Sequence, residues 1–186
     1  MRTKRRLRPL PSWPDQQLQW LERERSCARW MHGATTRPWV VMLLNAVSRL
    51  GDGWMWYAVI LALPWVDHIN GTTCAIRMFA VGAVNLAIYK CIKHFIARPR
   101  PYRNCPGIRA YGRSLDEFSF PSGHTLHTVA FALILISYYP AWAIVVAPFT
   151  LLVAVSRVVL GLHYPSDVLV GAAVGALTAA ISFNLL

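Results

Sequence analysis

Three stretches toward the C-terminus decide the fold: SGHTLHTVAFALILISYY (122–139), AWAIVVAPFTLLVAVSRVVL (141–160) and SDVLVGAAVGALTAAISFNLL (166–186). Each comes close to the roughly 20 apolar residues that a helix needs to cross a bilayer. Their polar residues sit at the ends. Ser122, His124 and His127 open the first, Ser156 and Arg157 close the second, and Ser166 and Asp167 open the third. Working outward, residues 74–96 make a fourth span and 53–67 a shorter fifth. Trp54, Trp56, Trp65, Tyr138, Tyr139 and Trp142 fall near span ends, where aromatic rings prefer the interface. Short connections at 68–73 and at Pro140 join antiparallel neighbours, and 97–121 is the one long polar connection. The expected fold is all-α: an integral membrane helical bundle of five to six spans, preceded by an amphipathic helix.

Composition agrees. Hydrophobic residues make up 55% of the chain and charged residues 15%, against about 25% charged in a soluble domain. Four cysteines, Cys27, Cys74, Cys91 and Cys105, show no C-x-x-C spacing, which argues against a zinc ribbon or a disulfide framework. The 186 residues suffice for one domain. They read as a basic flexible arm (1–15), amphipathic or interfacial helices (16–50) and a membrane core (51–186). No cleavable signal peptide is evident, because no apolar stretch follows the basic N-terminus.

The formal net charge is +11. Such a charge suits nucleic acid, anionic lipid or a phosphorylated substrate. Its placement excludes nucleic acid as the expected partner. Five arginines (98, 100, 103, 109 and 113) crowd the long connection between apolar runs. Alternation of the spans brings Lys93, that connection, Ser122–His124, Ser156–His163 and Asp167 to one membrane face. Residues far apart in sequence thus meet at one depth.

Three blocks at that face carry chemistry. Lys93 stands seven positions before Arg100-Pro101. Pro121-Ser122-Gly123-His124 opens a helix, with Ser122 able to cap it and Gly123 leaving room for an anion at the helix N-terminus. Ser156-Arg157 precedes His163, and Asp167 follows one helical turn later, so its carboxylate can reach back to one imidazole nitrogen.

These blocks resemble, position by position, the signature motifs of the type 2 phosphatidic acid phosphatase superfamily: K-x-x-x-x-x-x-R-P, P-S-G-H and S-R-x-x-x-x-x-H-x-x-x-D. The resemblance covers roughly residues 50–186. It implies a metal-independent lipid phosphatase with no cofactor. His163 would attack phosphorus and form a phosphohistidine, oriented by Asp167. His124 would protonate the departing lipid oxygen and then activate water. Lys93, Arg100 and Arg157 would hold the phosphate oxygens, with the Ser122 hydroxyl and the Gly123 N–H as neutral donors and Ser156 in support. The chemistry of these residue types is consistent, since phosphoryl transfer asks a protein mainly for charge stabilisation.

Several features have plainer readings. Arg98, Arg103, Arg109 and Arg113 lie outside the motifs and read as solvated or headgroup contacts. Asp52, in Gly51-Asp52-Gly53, reads as a turn. His124, His127 and His163 form a nominal zinc set, which the surrounding cations would oppose. Gly171 and Gly175 read as close helix packing. The expected partners are a lipid phosphate substrate and membrane lipids, and the oligomeric state is left open. A phosphotransferase with a non-water acceptor is the alternative activity, and a lipid-binding or transport protein a third. The expected location is the cell (inner) membrane, multi-pass. If residues 38–50 do not cross, the basic arm and the site share a face, and the positive-inside rule makes it cytoplasmic. If the chain crosses once earlier, the site is extracytoplasmic, as is common for bacterial members of the superfamily. The reading leans to the second.

Overall fold

The structure, a computed structural model, describes residues 15–114 and 116–185. The basic arm lies outside the described residues except for its last position. Among the described residues eight α-helices follow in order: α1 (Asp15–His32), α2 (Pro38–Leu50), α3 (Trp54–Val66), α4 (Asn70–Ile96), the single turn α5 (Pro101–Asn104), α6 (Gly123–Tyr138), α7 (Ala143–Val159) and α8 (Pro165–Leu185). The spans expected near 53–67, 74–96, 122–139, 141–160 and 166–186 correspond to α3, α4, α6, α7 and α8. By length and composition, α4, residues 140–159 and α8 are long and apolar enough to cross a membrane, while α3 and α6 are shorter apolar helices.

The outside of the bundle is apolar. Trp65, Phe79, Ile144, Leu151, Leu169 and Leu177 are all exposed. Exposed rows of this kind suit lipid as solvent. Since lipid tails are as apolar as leucine, helix association there depends on close packing and hydrogen bonds rather than on burial. The central helix α6 shows this. Its Leu126, Ala130, Ile134 and Leu135 are buried, with α4, α7 and α8 around it. Gly171 and Gly175 of α8 press on its backbone. A Cβ at these positions would stand 2.6 Å from the Ser122 carbonyl oxygen and 2.2 Å from that of Leu126. The Gly-x-x-x-Gly spacing therefore serves contact within the bundle. Trp56, expected near the interface, is instead core, packed on Phe131 and Phe149.

Polar ties fix both ends. At one end Asp67 accepts from the Ile69 and Asn70 N–H groups (3.2 and 3.1 Å) and from the Tyr139 hydroxyl (3.2 Å). There too, Arg77 donates to the Tyr138 hydroxyl at 3.1 Å and to the Ser182 carbonyl, joining α4, α6 and α8. At the other end α3, α6 and α8 begin, and α4 and α7 finish. Helices α1 and α2 pack there. Leu44 of α2 clusters with Val159, Leu160 and Leu162, and Ser48 accepts from Arg157. His32 of α1 sets Nδ1 2.9 Å from the Val159 carbonyl and accepts from the Arg109 N–H at 3.1 Å. Residues 38–50 thus form a short helix packed at this end. A 13-residue helix is only about 20 Å long, and its contacts lie at the end where α7 finishes.

Candidate active site

Three helix ends and one loop bring polar side chains together at that second end. Lys93 stands on the last turn of α4. It donates to the Phe118 carbonyl (2.9 Å) and to the Asp116 carboxylate, and lies 4.6 Å from the centre of the Tyr89 ring. Beyond α4 the chain doubles back, with Ser119 N–H donating to the Arg98 carbonyl (2.8 Å) and Pro99 bridging Phe118. This fold-back carries Asp116 to the cations. Arg100 donates to its carboxylate at 2.8 Å, and Tyr89 donates to it as well. Burial works against a charge on Asp116, but the hydrogen bonds from Lys93 and Tyr89 outweigh it and pull its carboxyl down to about 2.

The α7–α8 corner carries His163. Its backbone N–H, like that of Leu162, donates to the Arg157 carbonyl (3.0 and 3.1 Å), which closes the end of α7. Arg100 Nη1 lies 3.1 Å from His163 Nε2. A guanidinium can only donate, so Nε2 bears the lone pair and Nδ1 the proton. Burial, and then the positive charges of Arg157, Arg100 and Lys93, hold the imidazole well below its ordinary pKa. The ring is neutral, with a free nitrogen facing cations.

Asp167 differs from expectation. Its Oδ2 is 3.7 Å from His163 Nδ1, too far for a hydrogen bond, and that nitrogen has no hydrogen-bond partner among the described residues. The carboxylate instead accepts from the Tyr164 N–H at 2.8 Å, a side chain capping its own helix, and from Arg98 at 2.7 Å. Arg98 is correspondingly not a solvated headgroup contact. It also donates to the Ser166 hydroxyl (2.7 Å) and to Glu24 of α1, and stacks 4.1 Å over the Tyr164 ring. Glu24 in turn accepts from the Ser166 N–H at 3.0 Å.

At the start of α6, Ser122 is the N-cap, as expected. Its hydroxyl is fully buried and lies 3.0 Å from the Thr125 hydroxyl, so it is spent on its own helix. Gly123 packs against the Tyr89 ring, which a Cβ would meet at 2.6 Å. The Ser156 hydroxyl donates to the Val153 carbonyl at 2.6 Å. This bond ties it to α7. His127 sets Nδ1 3.0 Å from the Gly123 carbonyl and packs beside Phe131. His124 Nε2 meets the Asp52 carboxylate at 2.6 Å, so Asp52 is more than a turn residue.

Arg157 is the least compensated charge. It is 1% exposed, its Nη1 donates to the neutral Ser48 hydroxyl, and its Nε has no partner among the described residues. A buried cation without a countercharge is costly. It sits with Arg100, Lys93 and two imidazoles at one end of the bundle, an arrangement able to bind an oxyanion and to present an unprotonated nitrogen to it.

Sequence reasoning missed four members of this constellation: Asp52, Asp116, Arg98 and Glu24. The signal was the scarcity of acids. The chain has only eight against 19 Lys and Arg, so each carboxylate has cations to pair with.

Comparisons with known proteins show the family and the fold. The sequence model of the PAP2 superfamily matches residues 74–186. Decaprenylphosphoryl-5-phosphoribose phosphatase of Mycobacterium tuberculosis is 34% identical over 157 residues, covering 78% of this chain and 80% of that protein. Among solved structures, Aquifex aeolicus LpxE superposes with a TM-score of 0.75 at 22% identity, over 86% of this chain and 93% of that one. A transmembrane PAP2 type phosphatidylglycerolphosphate phosphatase from Bacillus subtilis gives 0.67 at 23% identity, over 86% and 84%. The chain belongs to the PAP2 superfamily and is a membrane phosphatase, a hydrolase of phosphoric esters.

Proposed function

We propose that the chain removes the terminal phosphate of a lipid phosphomonoester or diphosphate through a phosphohistidine on His163. The observation that carries this reading is Arg157, buried beside Arg100 and His163 with no carboxylate partner among the described residues. A substrate phosphate supplies the missing anion, and displaces Asp116 from Lys93 and Arg100 as it binds. Nε2 of His163 attacks phosphorus, and the bond from phosphorus to the lipid oxygen breaks. His124 gives its proton to that oxygen. Asp167 compensates the positive charge formed on the ring. Water, deprotonated by His124, then cleaves the phosphorus–nitrogen bond and releases phosphate.

The lipid tail has a place beside this chemistry. A cavity of about 390 Å³ runs between α3, α4 and α6. Trp56, Ile60, Phe79 and Leu86 line its apolar part, and Asp52 and His124 its polar part. Similarity to a decaprenylphosphoryl-5-phosphoribose phosphatase favours a polyprenyl-linked phosphate within this class. The test is phosphate release by purified protein from four substrates: a polyprenyl-phosphoryl sugar phosphate, a polyprenyl diphosphate, phosphatidic acid and phosphatidylglycerophosphate. We expect release from at least one lipid, with water as acceptor. Phosphate recovered on a second lipid instead of in solution would favour the phosphotransferase. No release from any of them would defeat the reading.

We further propose that the site faces the cytoplasm, contrary to the lean drawn from the resemblance. Arg23, Arg25, Arg29, Arg37 and Arg49 precede α3 on the site side, and the five arginines of 98–113 lie there too, whereas the connections 67–69 and 139–142 carry no Lys or Arg. This asymmetry is what the positive-inside rule reads. In a cysteine-free background in bacterial cells, Arg113→Cys should resist an impermeant maleimide until lysis, and His68→Cys should label in intact cells. The reverse pattern contradicts the assignment.

A further inference from the structure

We infer that Asp52 is the positioning residue of His124, giving the site a second carboxylate–imidazole pair on the side where the lipid oxygen leaves. The inference rests on the proposed role of His124 as proton donor.

The turn that carries Asp52 is built for placement. Gly53 has φ 107°, a left-handed conformation in which side chains are strained. Gly51 abuts α7, where a Cβ would meet Val153 Cγ2 at 2.9 Å. Glycines on both sides thus let the connection from α2 to α3 press into the bundle, and Asp52 between them reaches the first turn of α6. A turn aspartate ordinarily bonds its own backbone. This one meets an imidazole of α6 instead. Its recorded contact is His124 Nε2 at 2.6 Å, with the imidazole nearly buried and the carboxylate partly so. Both line the polar part of the cavity assigned to the lipid.

Asp52 is the countercharge that a protonated His124 needs among these cations. Burial would raise the Asp52 carboxyl, but the hydrogen bond from His124 and the charges of His124, Arg157 and Arg113 hold it below its ordinary value, so it is ionised. The other charged groups acting on His124 include the cations Arg157 and Arg100, and each opposes a further positive charge nearby. Asp52 compensates that charge and fixes the ring's rotation. As the phosphorus–nitrogen bond to His163 forms and the phosphorus–oxygen bond breaks, the proton passes from His124 to the departing oxygen. The ring becomes neutral and stays tethered to Asp52 for the water step.

A leaving-group comparison separates this role from a structural one. An alkoxide leaves poorly without a proton, whereas nitrophenolate leaves readily. We compare wild type, Asp52→Asn, Asp52→Glu and His124→Ala on a long-chain alkyl phosphate and on nitrophenyl phosphate, with thermal melts in detergent alongside. For Asp52→Asn we expect kcat on the alkyl phosphate to fall about 10- to 100-fold, part of the 10²–10⁴-fold that general acid–base catalysis supplies. The nitrophenyl rate should change far less, and Asp52→Glu should recover part of the loss. Equal losses on both substrates, or no loss on either, overturn the inference. If His124→Ala discriminates between the substrates and Asp52→Asn does not, only the role of Asp52 fails. If His124→Ala itself shows no discrimination, the proton-donor reading fails and the inference with it.

Discussion

Replacing His163 with alanine is expected to lower kcat/KM for any lipid phosphate by roughly 10⁴- to 10⁶-fold, the scale of loss when a covalent nucleophile is removed from a hydrolase. The size follows from the absence of a substitute. Nε2 of His163 is the imidazole nitrogen directed at Arg100 (3.1 Å), whereas His124 Nε2 is engaged by Asp52. The cation cluster remains in the variant, so substrate should still bind. Loss of kcat with little change in binding of a non-hydrolysable phosphonate lipid is the pattern to look for. Removing a buried ring leaves a cavity, so a detergent melt must accompany the kinetics. A variant that folds and keeps more than about a tenth of wild-type turnover contradicts the assignment, since that loss is small beside the nucleophile's expected share.

The second large effect is expected at Arg98, on stability first and activity second. Asp167 is 0% exposed on its side chain, and Arg98 is the cation paired with it at 2.7 Å. Removing one partner of a buried pair costs about 3–5 kcal/mol, because the other is left uncompensated. Arg98→Met keeps most of the apolar stem over Tyr164 and deletes the charge. It also removes one of two ties on Glu24 of α1, leaving the one from the Ser166 N–H. We expect a markedly lower melting temperature in detergent. Turnover should fall as well, because an Asp167 that gains a proton to survive burial can no longer compensate a cationic His163. Arg103→Ala should leave both unchanged, since Arg103 and Glu117 form an exposed pair, and such pairs contribute at most about 1 kcal/mol. Equal stability of Arg98→Met and wild type would show that the pair is not the tie described here.

What could be read from the sequence follows a physical division. Spans depend on local apolar runs and on the prolines and polar residues that stop them, so Ser122 as N-cap is legible. Motif spacing put Lys93, Arg100, His124, Arg157 and His163 at one end, because alternating spans must return there. The pairings were not legible. Glu24 meets Arg98 across 74 positions and Asp116 meets Lys93 across 23, and no periodicity links such residues. A hydrogen bond from His163 to Asp167 is a fair inference from one-turn spacing. Arg98 and the Tyr164 N–H compete for the same carboxylate, and they hold it. The hydroxyls of Ser156 and Ser122 suit a phosphate or an arginine, and in the structure nearby groups of their own helices engage them.

The most direct test of the account is a rapid chemical quench of wild-type protein turning over a lipid labelled in its terminal phosphate, followed by peptide mapping. The account predicts label bound to the protein, stable in alkali, lost in acid, and located on the peptide containing His163. Turnover with no labelled protein at any time, or label on another residue, would contradict it.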